Sequence, residues 1–508
     1  MNNKKTSIID IGSNTVRLVI YRLDESSFEE IENVKAPIRL GKYLGENNQL
    51  SEEGILILAD VLHNFKEILN THHVEDVECA ATAAVRQASN RDDIIEYIKN
   101  ETGFTIRILT GQEEARYGLA AVTQTIAADD GLCVDIGGAS TEITKFENRK
   151  PVASFSFPFG AVTLKERFLK EERMSEDEQK ELNSYLQSEL ARFPWIHNEG
   201  GAIVAVGGSA RNLANVDQIK REYPSIGLHG YEMSAKSMKE LREELSVLSF
   251  EQLEKVDGLS KERADIILPA LEVLYQLMEN SKSKRMIISS RGLRDGVIMD
   301  KLYKLSANTE QEIKEKGTTR LLQSYQMNSE ASQQVLFLTE RLAAELQASG
   351  VLSIDEEAEF MLKQAAQLFN LGEYISSSSK SQHTFYLLTN STFDGYTHKE
   401  KVQLSLLASF TNHSTLKQYA QPFKGWFSKE EWRQMREWGA LLKLCYSFNS
   451  TKRSVVQDIK AIRKDGGLAL SILCSKRCLA EKYQSEKQKR HLEKALQLPI
   501  DLDFIEKI

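Results

Sequence analysis

At 508 residues, with 41% hydrophobic and 27% charged side chains and only 8 prolines, the chain has the composition of a globular protein of several domains, not of a disordered or fibrous one. Its net charge of −8 argues against nonspecific nucleic-acid binding by the chain as a whole. No apolar run approaches the roughly 18 to 20 residues that span a bilayer, and the Lys4-Lys5 start runs into Asp10, so the expectation is a cytoplasmic protein without membrane or nucleic-acid partners.

In chain order, short β-branched runs come first. Strands are expected at Ser7 to Asp10, Val16 to Tyr21, Val77 to Ala80, Thr105 to Leu109, Leu132 to Asp135, Glu142 to Phe146, Ile203 to Val206 and Arg285 to Ser289. Helical patterns lie between them, at Glu53 to Asn70, Arg91 to Glu101, Glu113 to Thr125 and Ser237 to Ser246. This interleaving predicts an α/β body with buried sheets. After Asn308, Leu, Ala and Phe recur at three- and four-residue spacing, and the rest of the chain reads as nearly all helical. The expected domains are residues 1–126, 127–305, 306–448 and 449–508. Between Lys452 and Leu496 there are twelve Lys and Arg against five Asp and Glu, which suits a solvated helix face or a polyanion-binding surface. The five cysteines read as reduced thiols, because Cys474 and Cys478 lack the second pair a zinc site needs.

One motif is written twice. Asp10-Ile-Gly-Ser-Asn-Thr15 and Asp135-Ile-Gly-Gly-Ala-Ser-Thr141 each follow an apolar run and continue into a β-type run, without the Lys of a Walker loop. Each predicts a strand, a Gly-rich turn and a second strand. Glycine permits positive φ and close approach of backbone N–H groups to an anion, and Ser13, Asn14, Thr15, Ser140 and Thr141 add short donors. Two such turns, with Gly12 in one and Gly137 and Gly138 in the other, suit a phosphate held between them. Asp10 and Asp135, just before the bends, are placed to hold Mg²⁺ directly or through water.

Two further glycine-rich strand ends accompany the pair. Gly207-Gly208-Ser209 enters a helical pattern as helix-terminus anion sites do. Ser289 to Val297 offers Arg291 or Arg294 to the same cleft. Thr110 and Glu113 form a capping box, which leaves Glu114 unoccupied; taken alone, that acid reads as one favoured by the helix dipole.

The segments DIGSNT, ATAAVRQASN, TGQEEARYG, DIGGASTE, FPFGAVTL, VGGSARNL and GLRDGV, in this order over the first 300 or so residues, resemble the exopolyphosphatase and guanosine-pentaphosphate phosphohydrolase family within the actin-like ATPase superfamily. The resemblance implies an α/β fold of two actin-like, ribonuclease-H-like domains flanking a cleft. An all-α domain similar to the histidine-aspartate phosphohydrolases and a small C-terminal domain follow. It implies Mg²⁺-dependent hydrolysis of a terminal phosphoanhydride, with Glu114 as the base, Asp135 and Glu142 beside Asp10 at the metal, and Arg86 facing the phosphate. Arg17 is open to a substrate or to a neighbouring carboxylate. Ala139 stands where many relatives have a third glycine, which is tolerable if its φ stays negative or the phosphate sits slightly farther away. In the helical half the resemblance places Phe369 and Asn370 at the His-Asp pair, so a second metal centre is not expected, and His383 reads as structural. The implied substrate is inorganic polyphosphate, with guanosine pentaphosphate or tetraphosphate as the alternative, and the implied assembly is a homodimer. An actin-like kinase or a non-catalytic polyphosphate-binding protein is the alternative of another class.

Overall fold

The computed structural model describes residues 4–23, 28–45, 47–170, 173–224, 227–303, 308–327, 329–464 and 466–507. Two units separate: residues 1–223 with 228–313, and residues 224–227 with 314–508.

The first unit holds two sheets of one plan. Strands β1 (Lys4–Ile11), β2 (Val16–Leu23), β3 (Phe28–Ala36), β4 (Val77–Ala81) and β5 (Ile106–Ile108) lie in the order β3-β2-β1-β4-β5. The first three form an antiparallel meander, and β4 and β5 add in parallel across the Glu52–Thr71 and Arg91–Thr102 helices. Strands β6 (Gly131–Ile136), β7 (Thr141–Glu147), β8 (Lys150–Phe157), β9 (Ala202–Val206), β10 (Glu232–Ser234) and β11 (Arg285–Ile288) repeat that plan as β8-β7-β6-β9-β11, with β10 added antiparallel at the edge. Central strands are covered on both faces, so they read as unbroken apolar runs; β9, AIVAV, is buried throughout. The edge strands β3 and β8 are largely exposed, β3 with three Glu and a Lys and β8 with Lys150 and Pro151 at its start, which kept them out of the strands expected from sequence.

The cores follow from this layering. Ile9, Ile11, Leu18 and Ile20 pack one face of the first sheet against Leu58, Leu62 and Phe65 of the Glu52–Thr71 helix. On the other face, Ile8, Val19 and Tyr21 meet Tyr117 of the Gly111–Thr123 helix and Ile298 and Met299 of the Leu293–Tyr303 helix. Those two helices touch backbone to backbone: a Cβ at Gly296 would come within 1.9 Å of the Tyr117 carbonyl oxygen, so only glycine fits.

The second unit is helical up to residue 448, as its periodicity predicts, and then departs from expectation. Strands β12 (Val456–Lys464), β13 (Gly467–Cys474) and β14 (Ile500–Glu506) form a three-stranded sheet, with the Leu479–Leu496 helix between β13 and β14. In β12 only Val456 and Ile459 are buried, and the exposed Lys460, Arg463 and Lys464 hid the strand in a segment of basic composition. At the expected His-Asp position, Phe369 is buried against Tyr446, with ring centroids 5.3 Å apart, and Asn370 occupies a left-handed conformation with φ 62°. Phe385, two residues beyond His383, stacks on Tyr419 at 4.8 Å. All five cysteines are buried and unbridged. Among the described residues no helix is long and apolar enough to cross a membrane.

Candidate active site

The two Asp-Ile-Gly copies build the same bend twice. In the β1–β2 hairpin the Gly12 N–H donates to the Thr15 carbonyl at 3.1 Å; in the β6–β7 hairpin the Gly137 N–H donates to the Ser140 carbonyl at 2.9 Å. A Cβ at either glycine would stand about 3 Å from that carbonyl oxygen, 3.0 Å at Gly12 and 3.1 Å at Gly137. Close approach, not a left-handed φ, therefore selects glycine, and the expectation of positive φ at Gly12, Gly137 and Gly138 is corrected. Positive φ falls instead at Gly207, 96°, where the chain turns from β9 into the Gly208–Lys220 helix beside the Asp135 carboxylate. Ala139 has no positive φ, so its methyl group is accommodated.

The bends face one another, with Gly138 in contact with Ser13 and Asn14. The segment FPFGAVTL braces the second bend from behind. Ala161 N–H donates to the Gly137 carbonyl and Val162 N–H to the Gly138 carbonyl, each at 2.9 Å, and Thr141 Oγ1 donates to the Phe159 carbonyl at 2.8 Å. Between the bends lies a cavity of about 180 Å³. Its walls include Gly12, Ser13, Asn14 and Thr15 from one hairpin and Gly137, Gly138, Ala139 and Ser140 from the other. Asp10, Asp135, Glu142 and Glu114 contribute carboxylates, Arg17 and Arg294 contribute guanidinium groups, and Gly207 and Gly208 close one end.

Three expected phosphate ligands point elsewhere. Thr141 is spent on the Phe159 carbonyl, and Ser209 is buried and accepts from Arg263 Nη1 at 3.3 Å. Arg86, on the Ala83–Gln87 helix, donates to the Leu109 carbonyl at 2.8 Å and ion-pairs with Glu114. The expectation of an unoccupied Glu114 is thus corrected: the capping box at Thr110 and Glu113 forms, but Glu114 has a cationic partner within the site. Burial lowers the Arg86 pKa from its ordinary value, against the raising effect of Glu142.

Register explains the charge layout. Asp10 stands opposite Arg17 in the first hairpin, and Asp135 stands opposite Glu142 at the equivalent place in the second. The first pair is an anion with a cation, the second two anions. Burial pushes Asp135 up to about 6 despite Arg211, with Asp10 adding to the rise. Burial and Asp135 push Glu142 up to about 7, although Ser156 Oγ donates to its carboxylate at 2.7 Å. Burial also raises Asp10, against Arg294 and Arg17.

Two arginines that sequence reasoning passed over complete the walls. Arg211 sits one turn into the Gly208–Lys220 helix, and the Arg263 guanidinium lies on Gly208, where a Cβ would come within 2.2 Å of its Cζ. The third residue after Gly208, as in a helix-terminus anion site, was the available signal for Arg211; Arg263, distant in sequence, offered none. Burial depresses both, and each is lowered further by neighbouring arginines. Arg17 is pushed down to about 10 by burial and then by Arg294 and Arg211. Four guanidinium groups around one cavity repel one another and suit an anion carrying several charges. Arg291, by contrast, pairs with Asp295 at 3.1 Å.

Among the described residues no three His, Cys, Asp or Glu side chains form a ready metal cluster. The pair Asp135 and Glu142 fits a hard dication nonetheless. Both are oxygen donors whose charged forms burial and a neighbouring carboxylate disfavour, Asp10 beside Asp135 and Asp135 beside Glu142, and Mg²⁺ is commonly held by one or two carboxylates, with waters and substrate phosphates completing its shell. The Thr15 hydroxyl, on the wall of the same cavity, is buried without a hydrogen-bond partner.

Residues 19–305 match the family model for the Ppx/GppA phosphatase family, and residues 313–487 match that for Ppx/GppA phosphatase, domain III. A guanosine-5'-triphosphate,3'-diphosphate pyrophosphatase from Vibrio atlanticus (strain LGP32) is 29% identical over 395 residues, 77% of this chain and 78% of its own. The Aquifex aeolicus member of the Ppx/GppA family, a crystal structure, superposes with TM-score 0.53 at 28% identity, over 59% of this chain and 98% of its own. An exopolyphosphatase structure from Cytophaga hutchinsonii shares the fold at TM-score 0.56 and 24% identity, over 60% of this chain and all of its own. With paired glycine bends facing across an arginine-lined cleft and family matches over most of its length, the chain belongs to the Ppx/GppA phosphatase family.

Proposed function

We propose that the cleft hydrolyses the terminal phosphoanhydride of inorganic polyphosphate and releases orthophosphate. The observation that carries this reading is the cavity wall: two glycine bends, four arginines and four carboxylates, with no aromatic side chain among the described residues that line it on which a nucleoside base would stack. Ser13, Asn14, Thr15 and Ser140 with the backbone amides of both bends grip the terminal phosphate, while Arg17, Arg211, Arg263 and Arg294 bind the charged oxygens behind it. Glu114, fixed by Arg86, orients the attacking water and accepts its proton as the oxygen bonds to the terminal phosphorus and the bridging P–O bond breaks. Mg²⁺, held by Asp135 and Glu142 with Asp10 nearby, supplies neutralisation of phosphate charge when bound.

A second reading is removal of the 5'-terminal phosphate of guanosine pentaphosphate at the same centre, favoured by the name of the Vibrio relatives. Orthophosphate release from long polyphosphate and from guanosine pentaphosphate, each with Mg²⁺ and with EDTA, separates the two. Faster release from polyphosphate supports the first; turnover of the nucleotide alone replaces it with the second.

A further inference from the structure

The helical unit carries a recess of its own. Leu416, Ala420, Gly425 and Trp432 line one part of it, and His413, Lys417, Lys424, Lys429 and Arg436 surround them. It encloses about 680 Å³, within the range of small-molecule sites. A smaller recess of about 340 Å³ shares His413 and Arg436 and adds His491 and Lys494.

Among the described residues Lys417, Lys424 and Lys429 have no ion-pair partner, while Arg436 feels Glu437 of the smaller recess only at longer range. The nearby acids are taken: Arg433 binds Glu430 and Glu437, and Lys399 binds Glu431. Among the described residues no carboxylate lies within ion-pair distance of Lys417, Lys424, Lys429 or Arg436. Burial, Arg436 and Lys417 hold His413 below the usual imidazole range, and burial with Lys443, Arg490 and Lys494 pushes His491 down to about 4. Uncompensated positive charge around a concave surface is relieved by an anion.

Charge alone would suit a bare phosphate chain, but the apolar lining would then serve nothing. Trp432 is partly buried and braced edge-on by Phe427, with ring centroids 5.3 Å apart, so its ring is held in place and not free to collapse into the recess. A rigid aromatic beside a cluster of Lys and Arg matches a ligand with a flat base at one end and phosphates at the other. Gln421 at the rim offers an amide to a base edge.

We propose that this recess is a binding site for a nucleoside polyphosphate, with the base against Trp432 and the phosphates on Lys417, Lys424 and Arg436. The proposal is independent of which substrate the cleft hydrolyses.

Calorimetric titration of the full chain with GTP, and separately with sodium tripolyphosphate, tests it. The cleft is silenced by doing so in an Arg211→Ala/Arg263→Ala background as well. The expected result is one GTP site that persists in that background, binds GTP at least about tenfold more tightly than tripolyphosphate, and weakens about tenfold in Trp432→Ala, the scale of one lost base–aromatic stack. Lys417→Ala/Arg436→Ala, one exposed and one half-buried side chain, should weaken it by at least as much, with the fold checked by circular dichroism. Loss of all GTP binding in the cleft-silenced background overturns the proposal. So does equal affinity for tripolyphosphate, which would make the recess a simple anion groove, or an unchanged GTP affinity in the Lys417/Arg436 variant.

Discussion

Gly138 of the second hairpin lies against Ser13 of the first, so closely that a Cβ there would stand 3.0 Å from the Ser13 Cβ. The width of the gap between the bends is thus set by the missing side chain. Gly138→Val should push the bends apart. A shift near 1 Å at a reacting centre costs on the order of 10²-fold in rate, and a drop of that order in kcat/KM with the fold retained by circular dichroism is the expected outcome. Full activity in this variant would show that the two bends do not act together.

Arg86 is expected to position Glu114 without touching substrate. Arg86→Ala should lower kcat with little change in KM, and Arg86→Lys should recover part of the loss, because an ammonium can still pair with the carboxylate but cannot reproduce the guanidinium fork. Steady-state kinetics on polyphosphate separate the alternatives: a KM effect with kcat intact would return Arg86 to the phosphate-binding role that the family resemblance implies.

Arg211 tests the balance between binding and stability. It is buried among Arg263 and Arg294, with Asp135 and Asp295 as the opposing charges. Arg211→Gln removes a desolvated cation from a crowded cluster, so KM for polyphosphate should rise by about tenfold or more while Tm of the free protein holds or increases, the pattern of a site whose charge is kept for function. A fall in Tm with KM unchanged would mean that the residue serves chiefly to neutralise Asp135.

Much of this site was legible in the sequence because its parts are local. A Gly-rich bend, its flanking strands and a capping box are each written within ten residues, and the doubling of Asp-Ile-Gly marked the cleft. Partnerships across the chain were not legible. Glu114 seemed free because its partner, Arg86, lies 28 positions away on another helix. Arg263 reached the cavity only through the fold. Thr141 and Ser209 have the right chemistry one residue too far along, where side-chain alternation or the helix turn directs them into the packing behind the bends. The C-terminal sheet was hidden because its first strand carries Lys460, Arg463 and Lys464 at exposed positions and buries only Val456 and Ile459.

Lys443 provides a pH test in the second unit. Its ammonium donates to the Thr411 carbonyl and lies 3.3 Å from His491 Nε2; burial, then Arg490, Lys380 and Lys487, push its pKa down to about 8. An unfolded lysine titrates near 10.4. Between these values the unfolded chain binds more protons than the folded one, so this group penalises the fold fully below pH about 8 and the penalty disappears as pH rises toward about 10. The difference in Tm between Lys443→Met and the unaltered chain should therefore favour the variant most near pH 7 and shrink toward pH 10. A difference that does not change with pH would mean that the lysine is not strained by its surroundings.

The most direct test of the account is orthophosphate release from polyphosphate by Glu114→Gln in the presence of Mg²⁺. The substitution keeps the shape of the side chain and removes its charge. Turnover should fall by roughly 10² to 10⁴-fold, the range for loss of a general base, while equilibrium binding of polyphosphate is retained. Turnover equal to that of the unaltered chain would contradict the account.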